Sequence, residues 1–312
     1  MSKISMNKKV RIIYFNDLVE AYIKICKVKN LSPKTIDYYK MSAHIFNKYC
    51  GNPKLEEIDD EMITELILML KEQMKAVSIN SRLRGIRAIL NYGVTIGVIK
   101  TVKVPMVKYD KEAKEGYTDQ EIRQLLVKPN INKCSFAEYR NWVMVNYLYG
   151  TGCRLATLIN IKIKDVDLEN RLVTNRHMKT RQQILNPLPT ALIIILREYL
   201  EIRGGKEEDY LFPQEANKRF SDRGAKSAIR RFNLSRGVLK TSIHAFRHTW
   251  AKNCILNGMD IFTLQKLGGW KNLDMVRNYV NLYSADIKGY DDINPLEKIY
   301  SNMNQRLTMK GN

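Results

Sequence analysis

Apolar side chains recur at helical spacing through the first hundred residues. Phe15, Leu18, Val19, Tyr22 and Ile23 fall on one face of a first helix. Leu31-Ser32-Pro33 reads as the start of a second, with Ser32 as N-cap and Pro33 in the first turn. That helix carries Ile36, Tyr39, Ala43 and Phe46 and stops near Gly51-Asn52-Pro53. A third begins near Asp59-Asp60 and carries Ile63, Leu66, Ile67 and Leu70. A fourth starts near Ser78 and runs through Leu83, Ile86, Ile89 and Leu90, with Arg82, Arg84 and Arg87 on its polar face. The pattern predicts a small helical bundle with one basic helix.

The helical period is lost from about residue 100 to 116, where Lys, Val, Pro and Asp alternate. Thr118-Asp119-Gln120-Glu121 then gives a capping box, which opens a second domain with a helix. A strong helix follows at 135–150, ending at Gly150. Residues 171–175 and 182–186 are set out as a β-hairpin whose polar tip holds Lys179, Thr180 and Arg181. Helices return at 190–203, 221–236, 244–257, 260–267 and 272–281. No internal repeat and no low-complexity segment interrupts the chain.

Composition narrows what such a chain does. It has 312 residues, 45% hydrophobic and 27% charged, and a formal net charge of +20. The excess is spread out: 18 basic against 10 acidic residues over 1–105, and 34 against 22 over 106–312. A field of that sign favours a polyanion, DNA first, because neutralised phosphates release counterions. A basic soluble enzyme or a ribosome-associated protein fits the charge as well. Five cysteines, Cys26, Cys50, Cys134, Cys153 and Cys254, are odd in number and widely spaced. They argue against a structural zinc site or a disulfide framework and fit a reducing cytoplasm. No signal peptide is evident, and the longest apolar run, Ala191 to Leu196, is far too short to span a membrane.

Several polar residues stand out by position. Arg154 follows Thr151-Gly152 just after a helix; taken alone it is a solvated side chain beyond a glycine C-cap. Lys179 sits at a hairpin tip, either for solubility or as an arm that brings an ammonium to a DNA strand. His244 and Arg247 are three apart and share a helix face. A guanidinium there can grip two phosphate oxygens while the imidazole serves the same phosphate. His248 is adjacent and expected to point elsewhere as a structural histidine. Trp270 offers an indole N–H, or simply core packing after Gly268-Gly269. Tyr279, one of seventeen tyrosines, lies nine residues beyond Trp270.

In this order these residues resemble the phage integrase family of tyrosine recombinases. The family shows an Arg after Thr-Gly (Arg154), a hairpin Lys eight residues before Pro-Leu (Lys179, Pro187-Leu188), an H-x-x-R (His244, Arg247), and a nucleophilic Tyr nine residues after a His or Trp (Trp270, Tyr279). The resemblance spans the whole chain. It implies a mainly α fold with a small β-hairpin or sheet in the catalytic domain (α+β). It also implies a two-domain clamp: a helical core-binding DNA domain at 1–105, a linker at 106–116, a catalytic domain at 117–290 and a tail at 291–312. One departure is Thr157, where the family usually carries a supporting Glu or Asp, so Arg154 is expected to be less firmly supported than usual.

The same resemblance implies the chemistry. Tyr279 attacks a DNA phosphorus, giving a 3′-phosphotyrosine and a free 5′-hydroxyl. Arg154, Arg247, His244 and Trp270 stabilise the developing charge; Lys179 protonates the leaving oxygen; His244 serves as base for Tyr279. Neither ATP nor a metal is required, and no cofactor is expected. The implied partners are double-stranded DNA core sites, contacted also by Arg82, Arg84 and Arg87, a homotetramer on two sites passing through a Holliday junction, and an accessory or directionality factor. The tail packs on a neighbouring protomer or folds back on its own domain. A mobile-element or prophage integrase is the expected role. The alternatives are a chromosome-dimer-resolving Xer-like recombinase, a type IB topoisomerase-like enzyme, or a catalytically silent DNA-binding protein.

Overall fold

The computed structural model describes residues 12–110, 116–175, 184–215, 217–274 and 276–277. The chain divides into two compact units, Met1–Glu112 and Ala113–Asn312.

The first unit is a bundle of α1 (Phe15–Val28), α2 (Pro33–Cys50), α3 (Asp60–Gln73) and α4 (Ala76–Thr95). Local chemistry sets the ends. Ser32 Oγ accepts from the Thr35 amide at 3.2 Å with Pro33 opening α2, and Gly51 leaves that helix at φ +69°. Asp59 caps α3 through the Met62 amide. Inside, Phe15 and Phe46 meet with ring centroids 4.2 Å apart, over Ile63, Leu66, Leu70, Leu83, Ile86 and Ile89. α2 and α4 cross closely at Gly85, where a Cβ would lie 2.2 Å from Ser42 Oγ. Arg84 and Arg87 are exposed on α4 and Arg82 is half-buried. The helix starts at Ala76, two residues before the expected Ser78.

Residues 101–110, where the helical period fails, run extended along this unit. Val102 and Val104 join its core, and the Asn80 carboxamide bonds both backbone groups of Val107 at 2.8 Å. A segment without helical period is thus fixed by backbone hydrogen bonds to buried side chains.

The second unit opens with α5 (Asp119–Leu126), whose capping box is present: Thr118 Oγ1 accepts from Glu121 N, and Glu121 Oε2 from Thr118 N. α6 (Phe136–Thr151) is buried on nearly every face, so it shows little amphipathic pattern; it is the central helix, packed by helices that follow. It ends one residue past the expected Gly150, because Gly152 takes the left-handed conformation of the C-cap, φ +58°. Next come the single turn α7 (Leu155–Leu158) and three antiparallel strands, β1 (Val166–Asp167), β2 (Leu172–Asn175) and β3 (Ile184–Pro187), in the order β1-β2-β3. In β2–β3, Val173 pairs with Asn186 and Asn175 with Ile184. β1 was not expected; two residues are too few to show a period. Then follow α8 (Thr190–Arg203), α9 (Asp222–Ser235), α10 (Ile243–Leu256) and α11 (Ile261–Gly268). Tyr147, Tyr199, Phe212, Ile229 and Phe246 fill the core around α6. No helix among the described residues is long and apolar enough to cross a membrane, and the five cysteines are free thiols.

Candidate active site

The site is organised by the C-terminal end of α11. A helix leaves its last carbonyls without intrahelical donors, and each must find one. Gly269, at φ +59°, turns the chain so that Gly269 N donates to Lys266 O and Trp270 N to Gln265 O, both at 3.1 Å. This Schellman closure satisfies two carbonyls. The next three are taken by side chains from elsewhere in the unit. Asn186 Nδ2 donates to Leu267 O at 2.7 Å. Arg247 Nη2 (2.7 Å) and Arg154 Nη1 (3.4 Å) both donate to Gly268 O. Arg154 Nη2 donates to Gly269 O at 3.1 Å. Arg247 Nη1 reaches back to Gly152 O at 2.8 Å.

Two arginines 93 positions apart in sequence thus converge on one carbonyl, at the end of a helix where the peptide dipoles concentrate negative charge. This answers the question raised by Thr157, which is buried beside Arg154. The carbonyls of Gly268 and Gly269 hold the Arg154 guanidinium in a chain that has Thr157 where the family usually carries a carboxylate. Burial lowers the Arg154 pKa, partly offset by Cys153, yet an arginine stays charged. Burial also pushes the Cys153 thiol up to about 11, against the pull of Arg247 and Arg154, so the thiol is protonated at neutral pH.

Aromatic packing fixes Arg247 from the side. Its guanidinium lies 4.0 Å from the centre of the Trp270 ring, and Trp270 stacks on Trp250 with centroids 6.2 Å apart. Arg247 is 3% exposed and Trp270 8%. Trp270 is therefore a plate beneath Arg247, a role that its expected use as an N–H donor did not include. Two glycines make room for the stack: a Cβ on Gly152 would lie 2.0 Å from the Trp250 ring, and one on Gly268 would lie 2.1 Å from Trp270. The Gly152 that ends α6 and the Gly268 that ends α11 are required by the same column.

Arg154 and His244 both line an open cleft of about 940 Å³. His244 is exposed at the start of α10. His248 does not point away from it: residues four apart share a helix face, and the two rings meet edge to face at 4.7 Å. The opposite wall is α9, which presents Arg223, Lys226, Ser227 and Arg230. These residues were missed in the sequence, although i, i+3 and i+7 spacing of bases over 223–230 was the signal. Behind α9, the buried Arg140 of α6 donates to Pro213 O at 2.7 Å and Gln214 O at 3.0 Å and lies 4.7 Å from the Phe220 ring. It anchors the loop from which α9 starts. Lys179 and Tyr279 lie outside the described residues, and Arg82, Arg84 and Arg87 belong to the first unit.

A cleft lined by Arg154, His244 and the bases of α9, with the buried Arg247 held on the same Gly268 carbonyl as Arg154, suits a phosphodiester. The comparisons with known proteins agree. The model of the phage integrase family matches residues 117–285, and that of the phage integrase SAM-like domain matches 14–111.

The chain belongs to the phage integrase family.

It is a tyrosine recombinase, an enzyme that cleaves and rejoins DNA strands at specific sites. Similar curated proteins include the tyrosine recombinase XerA of Thermococcus kodakarensis, 27% identical over 86% of this chain and 91% of its own length. Tyrosine recombinase XerD of Staphylococcus epidermidis is 24% identical over 90% and 99%. Among solved structures, the XerH site-specific recombinase bound to a palindromic difH substrate, in its post-cleavage complex, aligns with a TM-score of 0.70 at 19% identity, covering 89% of this chain and 84% of that one. A lambda integrase dimer bound to a COC′ core site gives 0.69 at 18% identity, covering 86% and 77%. These two solved structures share the fold of this chain.

Proposed function

We propose that this integrase-family chain is a site-specific recombinase working through a 3′-phosphotyrosine at Tyr279. The Tyr279 oxygen attacks the scissile phosphorus, the bond to the 5′ oxygen breaks, and Lys179 gives that oxygen its proton. His244, exposed at the cleft, takes the tyrosine proton, which a phenol of reference pKa ~10 does not lose unaided at neutral pH. Arg154 and Arg247 meet the charge that spreads over the non-bridging oxygens, with the Trp270 N–H as a further donor. Because the phosphodiester energy is kept in the phosphotyrosine, the 5′-hydroxyl of a partner strand can reverse the step without ATP or a metal. Arg82, Arg84 and Arg87, together with Arg223, Lys226 and Arg230, bind core-site DNA through its phosphates and groove edges. Four protomers on two sites exchange strands through a Holliday junction, with an accessory factor setting direction, in the cytoplasm.

The convergence of Arg154 and Arg247 on Gly268 O beside a base-lined cleft supports this reading. The role is integration or excision of a mobile element. The names of the similar curated proteins favour a second role, Xer-like resolution of chromosome dimers. The test is a nicked suicide substrate carrying the core site, followed by two plasmid-borne sites. A covalent adduct and exchanged flanks are expected. Adduct and relaxation without exchange would indicate a topoisomerase, and no adduct would indicate a silent DNA-binding protein. Recombination at sequences flanking the gene, and not at a chromosomal terminus site, separates the two roles.

A further inference from the structure

Among the side chains that donate to the α11 carbonyls, Asn186 is the one that phosphate chemistry does not explain. It sits in β3 between the exposed Leu185 and Pro187 and is itself 7% exposed, paired across the sheet with Val173. A half-buried strand places an apolar residue at such a position, because a carboxamide costs free energy to bury unless it is hydrogen-bonded. Among the described residues its Oδ1 has no hydrogen-bond partner, so the amide donor accounts for its place. That donor goes to Leu267 O, one residue before the carbonyl that receives both arginines. Among the described residues, this is the hydrogen bond that ties the β2–β3 pair to α11.

We infer that Asn186 is a positioning residue that registers the hairpin bearing Lys179 against the arginine pair. The inference rests on the proposed role of Lys179 as general acid. The Schellman closure of α11 and its two arginine contacts do not involve Asn186. Removing the carboxamide therefore frees the hairpin and leaves the arginines in place. The defect falls on protonation of the leaving oxygen, and the expected loss is about 10- to 100-fold in cleavage rate, within the range of a misplaced general acid.

The test uses the full chain and two nicked suicide substrates that differ in one atom: an oxygen or a sulfur bridging phosphorus to the 5′ carbon. A thiolate leaves without a proton. Asn186→Ala is expected to be slow on the oxygen substrate and within about 3-fold of the unmutated enzyme on the sulfur one, as is Lys179→Ala. Asn186→Leu, which refills the space, is expected to behave as Asn186→Ala does. Either Asn186 variant remaining slow on sulfur, or cleaving the oxygen substrate at full rate, overturns the inference. Lys179→Ala remaining slow on sulfur overturns its assignment as the acid instead, which keeps the two failures distinct.

Discussion

Gly268→Ala sets two physical effects against each other, and the structure decides the sign. Gly268 is the last residue of α11, and alanine in place of glycine in a helix is worth about 1 kcal/mol of stability. On propensity alone the variant is stabilised. The added Cβ, however, would lie 2.1, 2.2 and 2.8 Å from Cζ3, Cε3 and Cη2 of Trp270. Trp270 must retreat by more than ~1 Å to recover an ordinary carbon separation of ~3.5 Å. It has nowhere to go, with the Arg247 guanidinium 4.0 Å from its ring and Trp250 stacked on it. Overpacking a fixed site costs about 1–3 kcal/mol; with the upper half of that range, the net effect is a loss of about 1–2 kcal/mol. For a unit of this size that lowers Tm by about 2–8 °C. Cleavage of a suicide substrate should fall further, by ~100-fold, because Gly268 O carries both arginines and a shift near 1 Å is costly in a reacting site. Differential scanning calorimetry and a quenched cleavage time course measure both. A variant as stable as the parent that cleaves at the parental rate would refute the rigid stack.

Replacing Arg223, Lys226 and Arg230 together by alanine should weaken DNA binding across all sequences; the plot of log K against log salt should flatten by about 0.9 for each phosphate that is no longer neutralised, and an unchanged slope in fluorescence anisotropy would take α9 out of the interface. Arg140→Met leaves Pro213 O and Gln214 O without their donor, so urea unfolding should show a loss of about 2–4 kcal/mol; a change below ~0.5 kcal/mol would show that the loop before α9 does not depend on this side chain.

What was legible in the sequence was local. Ser32-Pro33, Asp59 and the Thr118–Glu121 box announce helix starts because capping needs side chains within three residues of the backbone they serve. The apolar spacing of Ile63, Leu66, Ile67 and Leu70 is likewise a property of one helix. α6 gave less, since a helix buried all round has no polar face to mark its period; its end near Thr151-Gly152 was legible from the glycine, but not that Trp250, about a hundred positions away, leaves no room for a Cβ there. The order Arg154, His244, Arg247, Trp270 was readable as a resemblance, but not what holds it. Arg154 and Gly268 are 114 positions apart, and no spacing rule announces that a helix end will serve as the seat of two arginines. Asn186 and Trp250 carry no local signal for the same reason. The bases of α9 did carry one, in their i, i+3, i+7 spacing.

The central claim is that the cleft lined by Arg154 and His244, with Arg247 joined to Arg154 at Gly268 O, serves a phosphotyrosine at Tyr279. The direct measurement is to trap the covalent complex on a nicked core site, digest both components, and identify the nucleotide-bearing peptide by mass spectrometry. The account predicts attachment at Tyr279, with Tyr279→Phe binding the site but forming no adduct. Attachment at Tyr283 or Tyr290, or an adduct that survives in Tyr279→Phe, would contradict it.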